Sequence, residues 1–101
     1  MIKQNEISKI LKPLVSSGIY KDEKVALKDI IAHYIGDKID SYGAVMKQME
    51  NKYGKDFAKV SKEHRDKATM NFEDDWMEWK AAIIMKDAWQ KALRNLLRNA
   101  A

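Results

Sequence analysis

Cysteine is absent from the 101 residues, which excludes disulfides, thiolate metal sites and a cysteine nucleophile. Histidine occurs only twice, too few for a structural zinc site once thiolates are missing. Proline occurs once and glycine four times, and no segment shows the sustained alternation of Val, Ile and Thr that strands need. With breakers and strand formers both scarce, the expected fold is all-α. It consists of three to four helices in a single domain over residues 1–101, with a long amphipathic C-terminal helix. No run approaches the roughly 20 apolar residues that span a bilayer. The first ten residues lack an apolar signal core, so the expected location is cytoplasmic, without membrane contact.

Hydrophobic residues make up 46% of the chain and charged residues 34%, the balance of a globular protein rather than a disordered one. The net charge of +4 is diffuse: +2 over residues 1–38, +2 over 39–70 and zero beyond. A chain this short buries only about 60–65% of its extended surface when alone, so any exposed apolar stripe favours a partner.

Breakers divide the sequence. Residues 4–16 place Ile7, Ile10, Leu11, Leu14 and Val15 on one helical face, and Ser16, Ser17 and Gly18 stop it. Pro13 lies inside that pattern and is expected to kink or shorten the helix. Asp22 is placed to cap a second helix of about 30 residues, in which Val25, Ala26, Ile30, Ile31, Ile35 and Ile39 keep a helical rhythm. Gly36 and Gly43 weaken its interior and mark a bend, a break or a close approach. Tyr53 and Gly54 end the run. Asp56, Phe57, Val60 and His64 suggest a short third helix, followed by a polar connection near 67–71. Residues 72–98, free of Gly and Pro, form the last helix, with Glu73, Asp74 and Asp75 at its start and Arg94 and Arg98 near its end.

Catalysis finds little support. Asp29 and Asp37 lie four residues on either side of His33 and share its helical face, the spacing of a weak divalent-ion site or of a solvated polar surface. Asp74 and Glu78 also share a face, but no histidine, nucleophile or glycine-rich cradle accompanies them. The reading is non-enzymatic: no catalytic residue, no metal site and no cofactor. For nucleic acid the best local candidates are Lys52, Lys55, Lys59, Lys62 and Arg65, which suit phosphate contacts but carry no base-reading geometry.

Protein association accounts for more of the composition. Trp76 and Trp79 are three residues apart, Trp79 and Ile83 four, and Trp89 and Leu93 four, so large side chains form bands along the final helix. Each tryptophan has two readings, monomer core or interface anchor. The small core, with Met70, Met77 and Met85 nearby, raises the expectation that at least one reaches a partner. Trp76, Trp79, Ile83, Trp89 and Leu93 are therefore the expected protein-binding residues, and a bundled or intertwined homodimer is the expected assembly.

The run from Leu14 to Leu27, with Leu14-Val15, Ser17-Gly18 and Tyr20 ahead of Asp22, resembles small bacterial and archaeal antitoxins. Met49 to Phe57 and Glu73 to Trp79 are similar to an all-helical class of antitoxins encoded beside small toxins. The resemblance implies neutralisation of a cognate toxin by a helix laid over it, with repression of its own operon as an accompanying role. One departure bears on DNA binding: where ribbon-helix-helix antitoxins carry a strand, Ser8 to Leu14 read as helix. The competing reading is a structural or regulatory helical homodimer unrelated to toxins.

Overall fold

A computed structural model describes residues 4–67 and 69–99. Its helices are α1 (Gln4–Ser16), α2 (Glu23–Tyr53), α3 (Phe57–Glu63) and α4 (Met70–Asn99). No strand occurs among the described residues, and Ser8 to Leu14 lie within α1.

Local chemistry explains the boundaries. α1 continues one turn past Pro13, where Ser17 N–H donates to the Pro13 carbonyl at 3.1 Å and the Ser16 hydroxyl donates to the Lys12 carbonyl at 2.9 Å. Pro13 thus does not shorten the helix. Gly18, at φ +82°, turns the chain out of α1 in a conformation that a side chain would strain. Asp22 caps α2 by accepting from Val25 N–H at 2.9 Å, and Gly54, at φ 70°, closes the other end with its N–H donating to the Glu50 carbonyl. Asp56 caps α3 in the same way through Lys59 N–H at 2.9 Å. α4 starts two residues before the sequence pattern suggests. Thr69 is the reason: its carbonyl accepts from Glu73 N–H at 2.9 Å and its hydroxyl from Phe72 N–H at 3.2 Å.

α2 runs unbroken through Gly36 and Gly43. Two interior glycines cost about 1–2 kcal/mol together, and packing along α4 outweighs them. A Cβ at Gly43 would meet only the flexible end of Lys86, at 3.5 Å, so no close backbone approach demands glycine there.

α2 and α4 form an antiparallel hairpin: Tyr53 meets Phe72 and Trp79 near one end, and Tyr34 meets Trp89 farther along. α3 packs on α4 at the first, proximal, end. α1 packs on α2 at the distal end, with Leu11 buried and the Ser8 hydroxyl donating to Glu23 at 2.6 Å. The main buried cluster, Met49, Val60, Phe72 and Trp79, is proximal, with Tyr53, Phe57 and Trp76 packed against it. The molecule is elongated, 59 × 24 × 23 Å, and its radius of gyration of 19.5 Å exceeds the roughly 13 Å of a compact chain this long.

Trp79 is 1% exposed, stacked on Tyr53 and edge-on to Phe57. Trp79→Ala is expected to cost about 3–5 kcal/mol, whereas Met77→Ala, on the exposed side, stays within about 0.5 kcal/mol. Thermal melting followed by dichroism checks both.

Candidate functional site

The sequence singles out the aromatic bands of α4, and the structure separates them. Trp79 belongs to the chain's own core and presents no face to a partner, a correction to its expected role as an anchor. Ile83, partly buried, packs against that core. Trp76 is also partly buried: its ring stacks on Phe57, its indole N–H donates to the Ser61 hydroxyl at 2.7 Å, and the Lys80 ammonium lies 5.0 Å above it. Trp89 and Leu93 lie toward the distal end, each half-buried. One helix thus divides the five expected residues between a closed proximal core and a more open distal half.

Trp76 lines an apolar groove of about 650 Å³ between α3 and α4, together with Phe72, Met77, Ala58 and His64. Lys62 and Arg65 stand on its α3 side and Glu73 on its α4 side. Met77 also belongs to a row, Met70, Met77 and Ile84, that repeats every seven residues along the outer side of α4, the three being 79%, 64% and 56% exposed. The row offers one side of a seam to another molecule, although the positions three and four residues after each member, Glu73 and Asp74, Lys80 and Ala81, Asp87 and Ala88, do not complete the paired apolar repeat of a coiled coil. That spacing is readable in the sequence, where the tryptophans overshadow it.

A second apolar surface lies distally. Leu27, Ile30, Ile31 and Tyr34 follow i, i+3, i+4, i+7 spacing on α2, and all four are exposed. Met85, Trp89 and Leu96 share one face of α4, and the edge-on contact of Tyr34 with Trp89, centroids 5.8 Å apart, joins the two rows. The Trp89 indole N–H is buried and finds no acceptor among the described residues.

The basic residues are partly committed. The Lys52 ammonium donates to Asp75 at 2.5 Å and that of Lys55 to Glu63 at 2.5 Å, so each is paired within the fold. Lys59 and Lys62 lie on α3 and Arg65 just beyond it. Lys52, Lys55, Lys59, Lys62 and Arg65 therefore do not form one uncompensated phosphate-binding surface, a pattern that disfavours counterion-release binding.

The titratable groups serve structure. Asp29 accepts from the Tyr20 hydroxyl, and its carbonyl and carboxylate together raise the His33 pKa above the ordinary value. Among the described residues no group of three His, Asp or Glu could hold a metal ion. No helix among them is long and apolar enough to cross a membrane. At the mouth of the hairpin, Asp75 also accepts from the Tyr53 hydroxyl at 2.6 Å. Burial, then the hydrogen bond to Asp75, pushes the Tyr53 phenol up to about 12. Hydrogen bonds from Lys52 and Tyr53 hold the Asp75 carboxyl below its usual range.

The chain matches no family model, no curated protein and no solved structure.

The Tyr53–Asp75–Lys52 cluster has a definite pH signature. Tyr53, raised from 10.0, contributes stability that is complete below pH 10 and lost as pH climbs through about 12. Asp75, lowered from 3.8, contributes stability present above that value and lost as acid protonates it in the fold. Melting temperatures measured from acid to alkali should fall at both extremes. Tyr53→Phe should flatten the alkaline fall and cost about 0.5–1.5 kcal/mol near neutrality. An unchanged alkaline slope would contradict this role for Tyr53.

Proposed function

We propose that this chain is a non-enzymatic protein-binding module that engages its partner along the outer side of α4. The observation that carries the reading is the exposed seven-residue repeat Met70, Met77 and Ile84. It runs beside the Trp76-lined groove, where Lys62 and Arg65 flank apolar surface. Isolated exposed apolar residues are ordinary, but three at one spacing beside an apolar groove suit a helix-in-groove contact. Methionine is an adaptable contact residue for such a seam. The resemblance to antitoxins supplies the partner class, a small cognate toxin encoded nearby, which α4 would cover. DNA is the subordinate reading, since Lys52 and Lys55 are already paired with carboxylates.

Calorimetry with the product of the adjacent gene tests this reading. Met77→Asp should weaken the complex by about thirtyfold, the equivalent of a 2 kcal/mol hot spot, and leave the melting curve nearly unchanged. Unchanged affinity in a folded Met77→Asp variant would remove the outer side of α4 from recognition. Absence of binding by the wild-type chain would overturn the antitoxin reading.

A further inference from the structure

Resting on the assignment of the outer side of α4 to a partner, we infer that the groove between α3 and α4 receives an acidic amphipathic helix of that partner, its carboxylates directed at Lys62 and Arg65. The floor of the groove sets the first requirement. The Trp76 indole N–H is spent on the Ser61 hydroxyl at 2.7 Å, and that hydroxyl donates in turn to the Phe57 carbonyl at 2.7 Å. Both polar groups are thus engaged within the chain, and Phe72, Trp76 and Met77 offer contact to apolar side chains. Ala58 and Ser61 keep the α3 wall low, which lets the backbone of a third helix come close.

The rim sets the charge. Lys52, Lys55 and Lys91 each hold a carboxylate within this chain, whereas neither Lys62 nor Arg65 pairs with one among the described residues. Both are exposed and stand three residues apart on the α3 side of the groove. The Lys80 ammonium, 5.0 Å from the Trp76 ring, adds a third positive charge nearby. Glu73, the acidic residue of the lining, stands on the α4 side, where it repels a carboxylate. The occupant is therefore acidic on the flank that meets α3 and neutral or basic on the other. A phosphate backbone suits the groove less well, since two cations beside an aromatic floor release few counterions. A small anion also suits it less well. Met77 belongs both to the groove and to the row from Met70 to Ile84, which carries apolar surface about 21 Å along α4, the length of a short helix.

Selection on the full chain from a displayed library of helical peptides, with a constant apolar stripe and randomised flanks, provides the test. Asp and Glu should be enriched on one flank. In calorimetry a selected peptide should bind the double variant Lys62→Glu, Arg65→Glu at least about tenfold more weakly than the wild type, and added salt should weaken the wild-type complex. A twin peptide with lysine at the enriched acidic positions should show the reverse preference. Dichroism on the same samples reports folding; if the charge reversal unfolds the chain, the neutral pair Lys62→Gln, Arg65→Gln takes its place, with the same direction expected. Basic flanks or no enrichment would overturn the inference, as would a folded charge-reversed variant that binds as tightly as the wild type. A selected peptide weakened by Met77→Asp but not by the charge reversal would keep the outer side of α4 as a binding surface and discard the acidic partner. If sedimentation of the wild type gives twice the chain mass and the charge reversal splits that species, a second copy fills the groove and the inference is again overturned.

Discussion

Closure of the α2–α4 hairpin over the Trp79 indole is the constraint on which the rest of this architecture depends. Trp79 is almost fully buried between Tyr53 of α2 and Phe57 of α3, and Met49, Val60 and Phe72 complete the surround. Two 30-residue helices in water have little reason to stay together without such a lock, since intrinsic helix propensity supplies little tertiary stability. Gly54 and Asp56 let α3 turn immediately after α2 and fold back as a strap. The polar mouth formed by Lys52, Tyr53 and Asp75 then ties α2 to the first turns of α4.

Beyond the reach of α3 the same two helices continue with less cover. Burial there falls to Ala26, Ile35 and Ala82, while Ile30, Tyr34 and Leu97 remain in solvent. The fold is therefore polarised: the proximal end is closed by the chain itself, and the distal end keeps apolar side chains in solvent.

Helix boundaries were the most legible feature, because each depends on chemistry within a few residues. Asp22 caps α2, Gly54 ends it and Gly18 stops α1, as their positions suggest, and Asp56 caps α3 by the same local chemistry. Thr69 is harder to place because it belongs to a polar segment that reads as a loop, while its carbonyl and hydroxyl serve the amides of Glu73 and Phe72. Tertiary support decided the continuity of α2 through Gly36 and Gly43, a quantity absent from a propensity argument. The roles of the tryptophans were illegible for a different reason. α4 carries apolar side chains on more than one side, so spacing alone could not tell that Trp79 faces the core while Met77 faces solvent. That distinction required knowledge of which side of α4 meets α2.

Amide hydrogen exchange tests most directly whether closure over Trp79 is what holds the hairpin. Amides around Met49 and Trp79 should exchange only through global opening of the hairpin, and those around Ile30, Tyr34 and Trp89 through easier local openings. Protection that is equal in both halves would contradict the account, because the distal half would then be as self-sufficient as the core around Trp79.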